Sequence, residues 1–343
     1  MSRRDPLRVV VVGTRGHAER VAIPSVAASE RAVFVGVVGG DPQRTAEAAA
    51  RLGVTAFASV EEVVASGAAD AAWVTAPNHL HPALATHLLA GGLHVLLEKP
   101  MAVDEASATA LLTVAESSTT VLRVAFQHRF RPLHSELRRL IAGGSLGPIG
   151  YLRVHRYWRF PYFEGQPELS AWRQSPAASG GWSINDIGAH LVDLVLWLSE
   201  GRPVTVLDCF FTRRHLPVAN DSSAFLTLHL GEAGLGQVDC SNVLGSPGSL
   251  VEAYGEDGWA RLVNSFHGEA SLRSSAGVEV TSVVSDQQTY REMFEDFVGS
   301  CHGEPSHGAT AAEAALNVDI IQAARRKARF LEDLAQRPPT RPV

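Results

Sequence analysis

The first 125 residues alternate short apolar runs with longer, alanine-rich amphipathic stretches. Continuous apolar runs are typical of strands in a parallel sheet that is buried on both faces. The predicted strands are Leu7–Val12, Ala32–Val38, Ala71–Thr75, Val95–Leu97 and Val121–Ala125. The predicted helices between them are Ala18–Ser29, Pro42–Arg51, Val60–Ser66, Pro82–Ala90 and Glu105–Ser117. This alternation predicts an α/β domain with a doubly wound parallel sheet.

The pattern changes after Phe126, where strand-like segments become frequent and helices sparse. The predicted strands are 151–158, 205–211, 223–230, 235–242, 250–254, 260–265 and 278–284. The predicted helices are 128–142, 184–198, 289–301 and 309–337. Many strands with one main helix between them predict an α+β domain built on an open, mostly antiparallel sheet.

A chain of 343 residues is too long for one hydrophobic core and suits two domains. We predict a dinucleotide-binding domain of the Rossmann type at 1–126 and a substrate-binding and oligomerisation domain at 127–337. Residues 338–343 are expected to form a tail. The last predicted helix, 309–337, is the segment that could pack back on the first domain.

Composition excludes several kinds of partner. The net charge is -6 and there is no basic block, which argues against nucleic acid. No apolar run approaches a membrane span, and the first one is too short for a signal peptide. Three widely spaced cysteines favour a reducing compartment and offer no zinc spacing. We therefore expect a cytoplasmic protein without a metal, which assembles as a homodimer or homotetramer through its second domain.

A candidate phosphate-binding loop follows the first predicted strand. Gly13, Thr14, Arg15 and Gly16 lie between that strand and the next helix, where backbone N–H groups and a helix N-terminus can bind pyrophosphate. The Gly-x-Gly-x-x-Gly pattern is incomplete, because Arg15 and Ala18 occupy two of its glycine positions. An ordinary tight turn is the alternative interpretation.

The end of the second strand bears on the choice between NADP and NAD. NAD-binding proteins usually carry an acid there, which binds the ribose 2′-hydroxyl. This chain has Gly39 instead, with Arg44 in the following helix and Arg15 in the first loop as cations for a 2′-phosphate. We predict a preference for NADP. The alternative is NAD, with Asp41 reaching back to the ribose.

Lysine is rare in this chain. Of its 30 cationic residues only two are lysines, Lys99 and Lys327, and Lys99 lies between Glu98 and Pro100 after an apolar run. Arginine cannot release its proton in a protein, whereas a desolvated lysine can take part in proton transfer. Lys99 is therefore a candidate catalytic residue, against the alternative of a solvated surface lysine.

Several motifs in order along the chain resemble the Gfo/Idh/MocA oxidoreductases. They are the Gly13 turn, Thr75-Ala76-Pro77-Asn78-His79-Leu80-His81, Glu98-Lys99-Pro100, Gly180-Gly181, Asp186-Ile187-Gly188-Ala189-His190 and Asn220-Asp221. The resemblance implies a nicotinamide-dependent dehydrogenase or reductase of sugars, cyclitols or related alcohols. It also implies a cis peptide before Pro100 and a division of proton transfer between the lysine and the histidine.

The predicted catalytic residues are Lys99, Asp186 and His190. Asp186 and His190 are four positions apart on a predicted helix and so share one face. Oxidation of an alcohol by hydride transfer needs a group that takes the hydroxyl proton, and histidine has a suitable pKa. We predict His190 as the main proton acceptor, Lys99 as the group that polarises the oxygen, and Asp186 as their orienting partner. The alternatives are a swap of the first two roles and a plain surface ion pair.

Further residues complete the predicted site. Asn78 follows the third predicted strand at the sheet edge where ligands bind, and Ala76, Glu98 and Lys99 are assigned to the cofactor with it. Aromatic side chains interleaved with arginine suit a sugar ring. The predicted substrate-binding residues are Trp172, Arg173, Trp182, Asn185 and His128.

Two other functions remain open at this stage. One is a nicotinamide-dependent glycoside hydrolase, which oxidises its substrate transiently and shows no net cofactor turnover. The other is a catalytically silent nucleotide-binding sensor, suggested by Arg15 and Ala18 in the glycine loop. The intact set of Lys99, Asp186 and His190 argues against the sensor.

Overall fold

The structure is a computed structural model that describes residues 5–158, 171–213, 220–245, 248–266, 268–283 and 285–332. The predicted tail, 338–343, and the end of the last predicted helix lie outside these ranges. The chain forms two compact units, Met1–Phe130 with Ser285–Ala315 and Arg131–Val284 with Leu316–Val343.

The strands are numbered in chain order. They are β1 (Leu7–Val12), β2 (Ala32–Val38), β3 (Thr55–Phe57), β4 (Ala71–Val74), β5 (His94–Leu97), β6 (Leu122–Val124), β7 (Ile149–Tyr157), β8 (Val204–Thr212), β9 (Ser223–Leu230), β10 (Gly234–Ser241), β11 (Ser249–Gly255), β12 (Trp259–Val263), β13 (Glu269–Ser274), β14 (Glu279–Val283), β15 (Ala309–Thr310) and β16 (Arg329–Phe330).

The α-helices are numbered likewise. They are α1 (Ile23–Ala27), α2 (Pro42–Leu52), α3 (Val60–Ser66), α4 (His81–Ala90), α5 (Glu105–Ser117), α6 (Pro132–Ala142), α7 (Ala171–Gln174), α8 (Pro176–Ser179), α9 (Ala189–Leu198), α10 (Asp286–Cys301) and α11 (Ala311–Lys327). In the part of the chain that the structure describes, two π-helical turns (Ala18–Ala22 and Ile184–Gly188) and two 3-10 turns (Asn78–Leu80 and Gln127–Phe130) accompany them. Within the described ranges, no helix is long and apolar enough to cross a membrane.

The first unit is built on a seven-stranded sheet in the order β15-β6-β5-β4-β1-β2-β3. All neighbouring pairs are parallel except β15 with β6. The strand order reverses between β1 and β4. In doubly wound sheets, ligands bind outside the carboxyl ends of the strands at this point.

The core of this unit includes a helix from late in the chain. Tyr290, Met293, Phe294 and Phe297 of α10 belong to the same buried cluster as the central strands, and the Phe294 ring stacks on Trp73 at 5.5 Å. Sequence analysis places residues 285–315 in the second domain. They lie in the first unit because the apolar face of α10 is buried against β1 and β4 side chains.

The second unit is built on a nine-stranded sheet in the order β14-β13-β12-β11-β7-β10-β9-β8-β16. Its pairs are antiparallel except for β7 with β10 and β8 with β16. Alternating burial along β7 and β9 shows that one face of the sheet is covered more than the other. The apolar helix α9 is almost entirely buried and packs against β7 and β10.

The predicted fold class is confirmed, with local corrections. The predicted helix 128–142 is interrupted at Pro132, which begins α6 after a 3-10 turn. Proline lacks an N–H and disfavours a helical residue before it. Among the described residues, the predicted helix 309–337 is wrong in two places. Ala309–Thr310 forms β15, and α11 ends at Lys327, after which Arg329–Phe330 pairs with β8. The short strand β3 and the strand β13 were not predicted.

Candidate active site

The loop after β1 is held between the two neighbouring strands. The Gly13 N–H donates to Val38 O, and the Thr75 N–H donates to Val12 O, each at 2.8 Å. Gly13 has φ of 135°, and a Cβ there would lie 2.1 Å from Thr75 Oγ1. Only glycine therefore allows the loop to pass this close to the end of β4.

Glycines follow both β1 and β2, and we call the two loops that carry them, 13–16 and 39–40, the glycine cradle. A Cβ on Gly39 would lie 2.4 Å from Thr45 Oγ1 and 3.1 Å from Thr14 Oγ1, so this position is closely packed and only glycine fits beside the two threonines. Gly16 lies in the same loop, Arg15 is exposed, and a π-helical turn begins at Ala18. These features fit the pyrophosphate and ribose of a nicotinamide dinucleotide.

The two charged residues that bear on cofactor choice are in contact with each other. Asp41 caps α2, where its Oδ1 accepts a hydrogen bond from the Arg44 N–H at 3.1 Å. The Arg44 Nε also lies 3.4 Å from Asp41 Oδ2, and both side chains are exposed. Asp41 is thus engaged by its own helix, while the Arg44 guanidinium is accessible to a bound anion.

The loop after β4 carries the predicted nicotinamide-side residues. Asn78 is buried and begins a 3-10 turn, and Ala76 is half-buried. His81 begins α4 and is completely buried. Its Nε2 lies 2.8 Å from Ala76 O and its Nδ1 lies 2.8 Å from Pro100 O. One imidazole therefore spans the loops that follow β4 and β5.

Glu98 and Lys99 follow β5 in that second loop. The Glu98 carboxylate is buried and accepts a hydrogen bond from Trp73 Nε1 at 3.3 Å, and it lies 3.0 Å from His17 Nε2. Burial favours a higher pKa for Glu98, but His17, Lys99 and His81 outweigh it and lower that pKa. Lys99 is half-buried, and the peptide between Lys99 and Pro100 is cis, as the resemblance implies.

His17 and Trp73 are neighbours of Glu98 that the sequence pattern did not indicate. His17 lies inside the glycine loop, and its ring also packs edge-on against Tyr290 at 5.3 Å. A histidine between Gly16 and Ala18 is evident in the sequence. Its contact with Glu98, which follows β5, could not be predicted from the sequence spacing. The contact links the loop after β1 to the segment that carries Lys99.

In the second unit, Asp186 and His190 lie on one continuous helical stretch. Asp186 belongs to the π-helical turn Ile184–Gly188 and is half-buried, whereas His190 is buried in the first turn of α9. The Asp186 N–H donates to Trp182 O at 2.8 Å. Single π-helical turns within helices occur frequently at functional sites.

Asp221 anchors the start of that stretch. Its carboxylate accepts hydrogen bonds from the Trp182 N–H at 2.9 Å and from the Ile184 N–H at 2.7 Å. Burial raises the pKa of Asp221, although these bonds and Arg325 oppose the rise. Sequence analysis identified Asp221 only as part of a family motif, and its role as an anchor comes from the structure.

The predicted substrate-binding residues are divided between the units. His128 is buried in the first unit, in the 3-10 turn Gln127–Phe130. In the second unit Trp182 and Asn185 are buried, and Asn185 Nδ2 donates to Ser179 O at 3.1 Å. Trp172 and Arg173 are half-buried, and the Arg173 guanidinium lies 4.3 Å from the centre of the Trp172 ring.

Asn220 orders the segment that precedes the helix. Its Nδ2 lies within hydrogen-bond distance of Arg173 O, at 3.0 Å, and of Ser179 Oγ, at 3.2 Å. The neighbouring residues Asn220 and Asp221 thus hold both the Trp172–Arg173 segment and the start of the helical stretch. Among the described residues, no group of three or more His, Cys, Asp or Glu side chains is arranged to hold a metal ion.

Both parts of the chain match models of one protein family. Residues 7–126 match an oxidoreductase family with an NAD-binding Rossmann fold, and residues 134–261 match the Gfo/Idh/MocA C-terminal domain. The class is thus that of Rossmann-fold oxidoreductases. Within it, the chain belongs to the Gfo/Idh/MocA family, which confirms the resemblance seen in its motifs.

Individual relatives match over shorter stretches. The chain is 31% identical over 183 residues to D-xylose 1-dehydrogenase (NADP(+)) 2 of Haloferax volcanii, covering 53% of this chain and 54% of the relative. It is 37% identical over 153 residues to myo-inositol dehydrogenase Hyg17 of Streptomyces leeuwenhoekii, covering 45% and 44%. The chain thus spans about half the length of these relatives.

Solved structures match over almost the whole chain. An inositol dehydrogenase homologue from Azotobacter vinelandii, solved with NAD+, superposes with a TM-score of 0.81 at 19% identity. The match covers 94% of this chain and 96% of that chain. At this level of identity the likeness establishes the fold.

Proposed function

We propose that the protein is a nicotinamide-dependent oxidoreductase that interconverts a secondary alcohol and a ketone on a sugar, a cyclitol or a related polyol. The observation that carries the proposal lies at the carboxyl edge of the first sheet. There a glycine cradle follows β1 and β2, and a half-buried lysine follows β5. A cofactor cradle and a proton-transferring amine on one sheet edge suit hydride-transfer chemistry.

Nicotinamide supplies a hydride acceptor or donor when bound. In the proposed site, Gly13, Thr14, Arg15 and Gly16 hold the pyrophosphate. Asn78, Ala76 and Glu98 serve the nicotinamide side, Asn78 through its amide and Glu98 by supporting the loop that carries Lys99.

NADP is the proposed preference over NAD. Gly39 carries no acid that would repel a 2′-phosphate, and Arg44 is an exposed cation at the first turn of α2. Asp41 is engaged in capping that helix. The name of the Haloferax relative, which specifies NADP(+), is consistent with this preference.

In the proposed mechanism His190 takes the proton of the substrate hydroxyl during oxidation and returns it during reduction. Lys99 donates a hydrogen bond to the same oxygen and stabilises the charge that develops there. Asp186, one helical turn before His190, orients the basic groups and balances their charge. Reversal of the roles of Lys99 and His190 is the alternative assignment.

The proposed substrate class rests on the second unit and on the names of the relatives, which act on xylose and myo-inositol. Trp172 and Trp182 offer aromatic faces for the C–H groups of a sugar ring. Arg173 and Asn185 offer hydrogen bonds to hydroxyls. His128 is the proposed contribution of the first unit.

The second sheet also offers a surface for self-association. Leu235, Tyr151, Tyr254 and Trp259 are neighbours in one row across β10, β7, β11 and β12. Leu235, Tyr254 and Trp259 are each about two-fifths exposed. A contiguous exposed apolar row typically marks an interface, and we propose that it pairs with a second copy in a homodimer or homotetramer. Light scattering of wild type and Trp259→Arg would test this, with a monomeric wild type as the contrary result.

The first experiment is titration of the purified protein with NADPH and NADH, followed by nucleotide fluorescence. Tighter binding of NADPH supports the proposed roles of Gly39 and Arg44, whereas tighter binding of NADH supports Asp41 as the residue that binds the ribose. If neither nucleotide binds, the proposed function is refuted. Net reduction of NADP+ with a panel of polyols then distinguishes a dehydrogenase from a hydrolase that recycles its cofactor.

Lys99→Ala tests the catalytic assignment. It should abolish turnover while changing nucleotide affinity by no more than about threefold, since the cradle residues remain. Lys327→Ala is the matched control, because Lys327 is the other lysine and donates to Val206 O in the second unit. Full turnover in Lys99→Ala would refute the role of Lys99 and favour the sensor or another base.

A further inference from the structure

His81 has a geometry that a helix-start residue does not require. Its ring is completely buried, and its two nitrogens lie 2.8 Å from two backbone carbonyl oxygens, Pro100 O and Ala76 O. Carbonyl oxygens only accept hydrogen bonds, so each contact needs an N–H on the ring. Both bonds are present together only when the ring is protonated.

Polar and charged groups surround the ring. Burial lowers the pKa of His81, and Lys99 adds to this effect. The two carbonyls and the nearby Glu98 carboxylate favour the protonated ring but do not reverse the lowering. Glu98 is held in turn by Trp73 and His17. The imidazole is therefore part of a buried polar network behind the loop that carries Lys99.

We propose that His81 is a positioning residue with two separable tasks. Through Nδ1 it holds Pro100 O and so sets the aim of the neighbouring Lys99. Through Nε2 it holds Ala76 O and so sets the loop that presents Asn78 to the cofactor. The proposal rests on the proposed function, because the tasks are defined by turnover and by nucleotide binding.

The separability follows from where the two carbonyls lie. Pro100 O belongs to the residue after Lys99, whereas Ala76 O lies two residues before Asn78. Loss of one bond leaves that loop free to shift while the other stays anchored. Small displacements of a positioned group have large effects on rate.

Two conservative variants each keep the hydrogen bond of one ring nitrogen and remove that of the other. The asparagine amide nitrogen of His81→Asn replaces Nδ1, and the glutamine amide nitrogen of His81→Gln replaces Nε2. We expect His81→Asn to keep kcat within about threefold and to weaken NADPH binding about tenfold. We expect the reverse from His81→Gln, which should preserve NADPH affinity and reduce kcat by at least about tenfold. His87→Asn, on the same helix, is the matched control and should change neither quantity.

A readout that does not need turnover comes from the scarcity of lysine. Reductive methylation with [13C]formaldehyde labels only Lys99, Lys327 and the α-amine, and Lys327→Arg assigns the Lys99 resonance. The 13C shift of Lys99 should stay at its wild-type position in His81→Asn and move in His81→Gln. If wild type proves inactive with every alcohol, the proposed function fails, and this spectrum still decides the role of His81.

Three results would overturn the proposal. One is equal loss of kcat and nucleotide affinity in both variants. Another is a Lys99 resonance that is the same in both variants. The third is failure of both variants to fold, which would assign His81 a purely structural role.

Discussion

The carboxylate of Asp221 holds the backbone N–H of Ile184 at 2.7 Å, at the first residue of the π-helical turn. It holds the Trp182 N–H as well, at 2.9 Å. The first turn of a helix leaves its N–H groups without partners in the helix, and a buried carboxylate satisfies them with charge-assisted bonds. The stretch that carries Asp186 and His190 is therefore anchored at its start by a residue that lies two positions before β9.

Asp221→Asn should lower the free energy of unfolding by about 1–3 kcal/mol, because an amide offers one acceptor oxygen where the carboxylate offers two. Turnover should fall with it, since His190 follows the anchored turn. Asp208→Asn is the control, because Asp208 pairs with Arg329 on the exposed edge of the sheet. Urea unfolding measures the stability of both variants. Equal destabilisation by Asp221→Asn and Asp208→Asn would refute the anchoring role.

Glu98→Gln should reduce the dependence of stability on acid pH. The pKa of Glu98 is lowered in the folded protein, although burial works against this, because His17, Lys99 and His81 favour the carboxylate. Its stabilising contribution is thus present above the unfolded pKa, about 4.3, and is lost as pH falls through the folded value.

Urea unfolding between about pH 7 and pH 3 tests this, with the wild type losing stability more steeply than Glu98→Gln below the unfolded pKa. Glu116→Gln, at an exposed position, is the control variant. Parallel curves for wild type and Glu98→Gln would contradict the expectation.

The three thiols should be unreactive in the folded protein. Burial raises the pKa of Cys209 to about 11 and those of Cys240 and Cys301 to about 12. The thiolate is the nucleophile, so a disulfide reagent at pH 8 should titrate three thiols only after denaturant is added. Because the folded pKa values are raised, the protonated thiols contribute their whole stabilisation below the unfolded thiol pKa. The free energy of unfolding then falls as pH rises above that value. Rapid reaction of the native protein would contradict this.

Gly13→Ala should be far more harmful than Gly53→Ala. Both glycines have positive φ, but a Cβ on Gly13 would lie 2.1 Å from Thr75 Oγ1, whereas a Cβ on Gly53 meets nothing within 4 Å. Backbone strain alone costs about 1 kcal/mol, so Gly53→Ala measures that part. Gly13→Ala should in addition abolish nucleotide binding in fluorescence titration. Similar effects of the two substitutions would show that the crowding at Thr75 is relieved by a local shift.

Arg44→Ala should weaken NADPH binding by about tenfold and leave NADH binding unchanged, since only NADPH carries the 2′-phosphate that a cation attracts. Arg51→Ala, on the same helix, removes an exposed arginine that pairs with Glu19 and serves as the control. Equal affinity of Arg44→Ala and wild type for NADPH would assign the phosphate to another group, with Arg15 as the next candidate.

The α/β half of the fold could be predicted from sequence because its strands are short, continuous apolar runs. β1, β2 and the helices α3 and α5 have the predicted bounds. The three residues of β3 carry too little pattern to predict a strand. The end of α11 was missed because the pairing of Arg329 with β8 is a long-range contact that no local period reports.

The candidate site divides in the same way. Residue chemistry selected Lys99, Asp186 and His190 as candidates, and the glycine motif selected the loop after β1, because these residue types stand at positions with few structural explanations. The residues that hold them in place, His81, His17 and Asp221, were not assigned those tasks. Their partners are backbone atoms or side chains far away in the chain, such as Pro100 O and Glu98. Only a three-dimensional structure supplies that information.

The stacking of Phe294 on Trp73 affects the order in which this protein can mature on the ribosome. A nascent chain that has just emerged past Phe130 contains every parallel strand of its first sheet but lacks the aromatic face of α10. Trp73 and its neighbours then stay uncovered until α10, Asp286–Cys301, has been translated. Nucleotide-binding competence is thus expected late in synthesis, and truncation before α10 should give a chaperone-dependent, aggregation-prone fragment rather than a minimal dinucleotide-binding domain.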